Sequence, residues 1–183
     1  MWKFLKSSTS QENWLDFSFD EIVFWGRSNV GKSSLINALA KSKIAKTSST
    51  PGRTRLINYF QSSNNKIIVD LPGYGYASMS KKEQQKIAGI IDFYFRNSKS
   101  NKKICFLIDA KIGFTAIDLE MIEYINSLGL AFDIIITKID KANQSQKYKV
   151  KTQALTFRNE INIFMVSSQN KVGLEDINNF YEL

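Results

Sequence analysis

The 183-residue chain contains no histidine, one cysteine and two prolines. Without histidine it cannot use a Ser-His-Asp or Cys-His nucleophile, a histidine general base or a histidine metal ligand. Cys105 has no partner for an internal disulfide, which favours a reducing compartment. Its apolar surroundings, "KICFLIDA", indicate a buried structural thiol. Any metal must therefore be bound by oxygen ligands, which Mg²⁺ and Ca²⁺ prefer.

The chain also lacks a long hydrophobic run. Its N-terminus, "MWKFLKSSTSQENW", has no apolar signal-peptide core. No run approaches the roughly 20 residues that span a bilayer, so we expect a cytoplasmic protein without a membrane partner. Basic residues outnumber acidic ones by 25 to 17, a net charge of +8. This charge favours a polyanionic partner, although solubility alone would also explain it.

Apolar, strand-like runs alternate with helical patterns. Continuous runs such as "ICFLI" and "FDIII" are typical of strands buried on both faces, and the alternation predicts parallel βαβ units. The short connection "SSNN" between two apolar runs predicts a hairpin. We therefore predict an α/β fold of three layers, with a mostly parallel six-stranded sheet, one antiparallel edge strand and helices on both faces. The predicted strands are 22–25, 56–60, 66–71, 104–108, 132–137 and 161–166, and the predicted helices are 32–41, 81–96, 117–127, 145–157 and 174–181.

The segment "GRSNVGKSS" lies between a predicted strand and a predicted helix, the context that a P-loop requires. Gly26 and Gly31 permit a tight turn and a close approach of the backbone to a ligand. The amides of residues 29–34 can then point at phosphate oxygens, reinforced by the N-terminus of the helix. In such a loop Lys32 bridges the β- and γ-phosphates and Ser33 binds magnesium.

Two further segments are placed to complete a phosphate site. Asp70 in "VDLPG" ends a predicted strand, where P-loop enzymes carry an aspartate in the outer shell of the magnesium ion. Gly73 can offer its amide to a γ-phosphate, although a plain Asp-Pro-Gly turn is the simpler alternative. Thr54 lies 21 residues after Ser33 in a long polar loop, where its hydroxyl could complete the magnesium shell. Such a loop, ordered by a γ-phosphate, is typical of a switch.

The tetrapeptide Thr137-Lys138-Ile139-Asp140 points to guanine. A carboxylate accepts two hydrogen bonds, and guanine presents its N1–H and exocyclic amine side by side. Adenine offers an acceptor at N1 and no amine at C2, so Asp140 would reject it. The aliphatic part of Lys138 could cover the purine. After the next strand, a backbone amide near Ser167 and Ser168 could reach guanine O6.

Taken in order, "GRSNVGKSSLINAL", "TSSTPGRT", "LINYF", "VDLPGYGYA", "TKID" and "VSS" resemble the signature of the EngB family. Members are bacterial GTP-binding proteins of the TRAFAC class that act in ribosome assembly. The segments "TPGRT" and "DLPGYGYA" separate EngB from Era-like proteins, which carry an RNA-binding domain, and from EngA-like proteins, which carry a second G domain. We therefore expect residues 1–183 to form a single G domain of the P-loop GTPase fold, with residues 1–20 as an N-terminal arm packed on it.

The resemblance implies a GTP-hydrolysing switch that uses GTP/GDP and Mg²⁺ in assembly of the large (50S) ribosomal subunit. The expected partners of the protein are the subunit precursor and rRNA, and no DNA partner is expected. We also expect the protein to be a monomer. The resemblance assigns catalysis to Lys32, Thr54 and Gly73, and magnesium binding to Ser33, Thr54 and, through the outer shell, Asp70. By match of position, the nucleotide should be lined by Gly26, Arg27, Ser28, Asn29, Val30, Gly31, Lys32, Ser33, Ser34, Thr54, Arg55, Leu56, Ile57, Asn58, Asp70, Leu71, Pro72, Gly73, Thr137, Lys138, Ile139, Asp140, Val166, Ser167 and Ser168.

The chain lacks one residue on which GTP hydrolysis usually depends. Ras-like enzymes place a water-orienting glutamine directly after the switch glycine, and this chain has Tyr74 there. We therefore predict slow intrinsic hydrolysis that a ribosomal partner accelerates. Arg53 and Arg55 are expected to contact phosphate or rRNA rather than act as an arginine finger. Asn29 suggests a K⁺ ion beside the phosphates, as in several relatives, or else a side chain that stabilises its own loop.

Two other functions remain open. One is a GTP-dependent module with negligible hydrolysis that recruits a protein, for example in cell division and septation. The other is an ATP-using P-loop kinase or ATPase, against which "TKID" argues. Four basic patches are candidates for rRNA contact, although each alone is more simply a solvated face. They lie at 41–46, 81–82, 99–103 and 147–151.

Overall fold

The computed structural model describes residues 1–8, 14, 20–46, 56–76, 79–157 and 160–183. Its strands are β1 (Lys3–Ser8), β2 (Glu21–Gly26), β3 (Ile57–Gln61), β4 (Ile67–Asp70), β5 (Lys102–Asp109), β6 (Phe132–Thr137) and β7 (Ile163–Met165). Its helices are α1 (Lys32–Ala40), α2 (Lys81–Asn97), α3 (Ala116–Ser127), α4 (Gln144–Ala154) and α5 (Leu174–Tyr181). Within the described residues the strands form one sheet in the order β1-β3-β4-β2-β5-β6-β7.

The predicted α/β fold is confirmed. Strands β4, β2, β5, β6 and β7 run parallel to one another, and β3 and β4 form the predicted antiparallel hairpin. The described sheet has seven strands rather than six because the N-terminal segment adds β1, which pairs antiparallel with β3. The edge of β3 is therefore covered, and its backbone groups find partners that an edge strand would lack.

The helices cover the two faces of the sheet, and this arrangement gives the three predicted layers. Successive side chains of β2 alternate between the two cores, with Val23 and Trp25 in one and Ile22 and Phe24 in the other. The first core also contains apolar residues of α2, α3 and α4. The second contains those of α1 and α5. Because each central strand is buried on both faces, its sequence is a continuous apolar run.

The N-terminal arm packs on the body where it is described. Phe4 of β1 meets the ring of Phe60 edge-on at 5.6 Å, and Trp14 lies 5.6 Å from the ring of Tyr94. Residues 9–13 and 15–19 of the predicted arm lie outside the described residues. No described helix has the length and apolar character needed to cross a bilayer.

The topology brings the carboxyl ends of four strands to one edge of the sheet. Strands β2, β4, β5 and β6 are neighbours and parallel, so their carboxyl ends share that edge. They end at Gly26, Asp70, Asp109 and Thr137. In an open parallel sheet this edge is where ligands bind.

Candidate functional site

The segment between β2 and α1 has the backbone shape of a phosphate loop. A Cβ atom on Gly26 would lie 2.9 Å from the carbonyl oxygen of Leu107, so only glycine lets the loop lie against β5. Gly31 has a φ of 105°, in the left-handed region, and directly precedes the first turn of α1. The first amides of a helix have no partner within it, so this turn offers donors and a positive dipole end to an anion.

Lys32 and Asp70 form a buried ion pair beneath this loop. Both side chains are almost fully buried, and the ammonium group contacts Oδ1 of the carboxylate. The other oxygen, Oδ2, accepts a hydrogen bond of 3.5 Å from Asn58, whose own Oδ1 accepts one of 2.6 Å from Ser7 in β1. The two charges therefore neutralise each other, which avoids the large cost of an isolated buried charge.

The donors at this point fit magnesium held largely by phosphate oxygens. Ser33 is half-buried in the first turn of α1, and Asp70 ends β4 nearby, so the protein offers a hydroxyl and a carboxylate. Among the described residues no group of three or more His, Cys, Asp or Glu side chains could hold a metal by itself. Mg²⁺ prefers such a shared oxygen shell of one or two protein ligands plus phosphates. Thr54, the other predicted ligand, lies outside the described residues.

The end of β6 is tied directly to the phosphate loop. Thr137 donates a hydrogen bond of 2.6 Å from its hydroxyl to the carbonyl oxygen of Val30. Lys138 donates from Nζ to the carbonyl oxygen of Asn29 at 2.6 Å and to Oδ2 of Asp109 at 2.8 Å. Its stem passes over Gly31, where a Cβ atom would lie 3.4 Å from Lys138 Cε. The lysine stem thus forms an aliphatic wall beside the loop.

Asp140 presents an ionised carboxylate beside this wall. The hydroxyl of Ser167 donates to Asp140 Oδ1 at 2.6 Å, and this bond is the main reason why the pKa of Asp140 is lowered. Ser167 is itself fully buried, and its hydroxyl accepts from the amide of Asn170 at 3.0 Å. Because Asp140 is exposed and ionised, it can accept hydrogen bonds from a ligand.

A cavity of about 1070 Å³ runs from the end of the phosphate loop to Asp140 and extends along α1 and α5. Its lining joins the phosphate loop to the predicted base-binding residues, and it includes Gly31, Ser34, Thr137, Lys138, Asp140 and Ser168. The volume exceeds that of a typical small-ligand pocket, so a nucleotide would fill only part of it.

Three of the predicted lining residues have no exposed side chain to offer a ligand. The side chains of Ile57, Leu71 and Val166 are fully buried in the two cores, so only their backbone groups could meet a ligand. The backbone amide of Ser167 donates to the carbonyl oxygen of Val172 at 3.0 Å, while its hydroxyl orients Asp140. Arg55 and residues 47–54 lie outside the described residues.

Two carboxylates that hold residues of this region in place were not assigned from the motifs. Asp109 anchors Lys138 and accepts from the amide of Lys111 at 2.9 Å; its position at a strand end in "LIDA" was the available signal. Asp118 is fully buried and accepts from the hydroxyl of Tyr74 at 2.8 Å, with Arg27 Nε at 3.4 Å. The Tyr74 hydroxyl therefore points into the protein toward α3, and its burial raises the pKa of the phenol.

Comparison with known proteins shows the family to which the chain belongs. Residues 21–138 match the family described as 50S ribosome-binding GTPases. A probable GTP-binding protein EngB of Metamycoplasma arthritidis (strain 158L3-1) is 75% identical over 183 residues, which is the full length of both chains. The crystal structure of a probable GTP-binding protein engB has a TM-score of 0.70 at 27% identity and covers 88% of this chain and 97% of that one.

A structure of Era in complex with MgGDPNP and part of 16S ribosomal RNA has a TM-score of 0.71 at 23% identity. It covers 90% of this chain and 56% of that one, and it shows the fold alone. The 75% identity to an EngB protein over the full length of both chains and the match to the family model together assign the chain to a family. The protein belongs to the EngB family of P-loop GTPases.

Proposed function

We propose that this protein is a GTP-hydrolysing switch that acts in assembly of the large ribosomal subunit. The observation that carries the proposal is the meeting of three groups at one edge of the sheet: the phosphate loop, the Lys32–Asp70 pair and the oriented Asp140. Each group alone would also suit a different ligand. Their convergence in a chain that matches 50S ribosome-binding GTPases leaves a guanine nucleotide as the best-supported ligand.

In the proposed site, each end of the nucleotide has its own residues. Asp140 accepts two hydrogen bonds from guanine, while the stem of Lys138 covers the ring. Lys32 leaves Asp70 to bind the β- and γ-phosphates, and the Gly73 amide binds the γ-phosphate. Ser33 and Thr54 would hold Mg²⁺, with Asp70 in its outer shell. The ion, when bound, neutralises charge on the phosphate oxygens.

Intrinsic hydrolysis is proposed to be slow. The Tyr74 ring lies 5.4 Å from Trp25 and stacks on Phe106, and its hydroxyl is bound to Asp118. A side chain held there does not orient a water beside the γ-phosphate. A ribosomal partner would then supply the missing acceleration, as activating partners do for other GTPases.

The partner is proposed to be the 50S precursor and its rRNA. The net charge of +8 supports a polyanionic partner. Phosphate contacts release counterions, so binding should weaken steeply as the salt concentration rises.

Sedimentation with ribosomal subunits tests the proposal. The protein, loaded with GDP or with a non-hydrolysable GTP analogue, is centrifuged with purified 30S and 50S subunits and with 50S precursors. We expect it to travel with the 50S particles or their precursors in the analogue-bound form and to dissociate with GDP. Equal absence from all particles with both nucleotides would contradict the ribosomal role and favour the protein-recruiting module.

A further inference from the structure

Tyr76 places its hydroxyl between the phosphate loop and the predicted γ-phosphate donor. A Cβ atom built on Gly73 would lie 3.2 Å from the Tyr76 hydroxyl oxygen and 3.1 Å from the backbone nitrogen of Ser28. The phenol is hydrogen-bonded to the Gly73 backbone and to the Ser28 side chain. Tyr76 is only 8% exposed, and burial raises the pKa of its phenol, so the group is neutral at physiological pH.

Gly73 also faces the terminal phosphate in the proposed site, where its amide binds the γ-phosphate. Gly73 has one backbone N–H, and a donor satisfied by the phenol is not free to bind a phosphate oxygen. The β-phosphate binds within the loop itself and needs no hydrogen bond from Gly73. GDP can therefore bind with Tyr76 in place, whereas the γ-phosphate of GTP would collide with the phenol.

The backbone around Tyr76 is anchored, so this contact is part of the fold. Gln84 in α2 donates from Nε2 to the carbonyl oxygens of Tyr76 at 3.1 Å and Met79 at 3.0 Å. On the other side, the amide of Ser28 donates to the carbonyl oxygen of Tyr74 at 2.8 Å. Displacement of the phenol would consequently act on the first turn of α2 through Gln84.

The tyrosine ring has space beside it. Tyr76 lines a cavity of about 310 Å³ between the segment that follows β4 and helices α2 and α3. The other walls are mainly apolar and include Met79, Ile87, Ile91 and Met121. Methionine side chains adapt to a changed neighbour, so the ring can rotate without unfolding its surroundings.

From this geometry we propose that Tyr76 is the residue that distinguishes GTP from GDP. Its hydroxyl occupies the γ-phosphate position at Gly73, and GTP binds only by displacing it. The inference rests on the proposed guanine-nucleotide function and adds a specificity-determining residue to it. Tyr76 thus lowers the affinity for GTP without changing the affinity for GDP, and it links the terminal phosphate to α2.

Tyr76→Phe tests the inference, because it removes the hydroxyl and keeps the ring. Fluorescent GDP and a fluorescent non-hydrolysable GTP analogue are titrated into the wild type and the variant. The loss of one hydrogen bond should raise the affinity for the GTP analogue by about three- to tenfold and leave GDP within about twofold. Tyr148→Phe is the matched control, since Tyr148 is 74% exposed on α4, and it should change neither affinity.

A second variant, Tyr76→Leu, removes both ring and hydroxyl and should shift the affinity ratio in the same direction; circular dichroism checks that each variant is folded. An unchanged ratio of the GTP-analogue and GDP affinities in both folded variants would overturn the role of Tyr76. Weaker binding of the GTP analogue by the variants would overturn it as well. Failure of the wild type to bind either guanine nucleotide would instead refute the proposed function.

Discussion

The hydrogen bond between Tyr74 and Asp118 should contribute measurably to stability. Tyr74→Phe removes the phenol oxygen and leaves the ring packed against Trp25 and Phe106. The acceptor Asp118 is 0% exposed and would keep its bonds from the amide and hydroxyl of Thr115, at 2.8 and 2.7 Å. Because one bond to a buried, charged acceptor is lost, we expect the free energy of unfolding to fall by about 2 kcal/mol.

The chain contains a matched control for this change. Tyr124 donates to Asp92 at 2.8 Å, the same distance as the bond between Tyr74 and Asp118. The Asp92 side chain, however, is 46% exposed, so water can replace the lost partner. Tyr124→Phe should therefore lower the free energy of unfolding by less than about 1 kcal/mol.

Urea unfolding of the two variants and the wild type measures both losses. With a denaturant slope of about 2 kcal/mol per molar urea, Tyr74→Phe should lower the unfolding midpoint by about 1 M. Tyr124→Phe should lower it by less than half that amount. Equal shifts in the two variants would refute the argument that burial of the acceptor sets the strength of the bond.

Three further predictions concern other sites. Burial raises the pKa of Cys105 to about 12, so a thiol reagent at pH 8 should leave it unmodified until urea unfolds the protein; rapid reaction of the native protein would contradict this. Asn58→Ala should raise the Mg²⁺ concentration that half-saturates its effect on GDP binding by about fivefold, because Asp70 loses an orienting hydrogen bond. An unchanged Mg²⁺ titration would argue against that role. If Asn29 holds K⁺, GTP hydrolysis should be faster in KCl than in NaCl, and Asn29→Gly should remove the difference. Glycine tolerates the left-handed φ of 62° at that position, and equal wild-type rates in both salts would exclude the ion.

The local features of the fold were predictable because local sequence encodes them. The spacing of apolar residues placed α5 at 174–181, as observed. The short turn between β3 and β4 predicted their antiparallel pairing. Gly26 and Gly31 stand where the backbone needs close approach or a left-handed φ, so the phosphate loop could be recognised from the motif. Helix α4 ends at Ala154, before the predicted end at 157.

The contacts that orient the site were not predictable, since they join distant parts of the chain. Lys138 and Asp109 are 29 residues apart, and Asp140 and Ser167 are 27 apart; the strand order brings each pair together. Strand β1, "KFLKSS", has no clear alternation, and it pairs with the edge that β3 would otherwise expose. The place of the Tyr76 hydroxyl depends on the path of the backbone after β4, which no motif specifies.

A change of base preference in Asp140→Asn tests the guanine site most directly. An asparagine amide can donate to the C2 oxygen of xanthine, whereas it cannot accept both hydrogen bonds from guanine. We expect GTP affinity to fall by about a hundredfold or more, and xanthosine triphosphate to bind better than GTP. Asp176→Asn, an exposed change on α5, should leave the preference for GTP intact. Unaltered GTP binding by a folded Asp140→Asn protein, without a gain for xanthosine triphosphate, would contradict the guanine site.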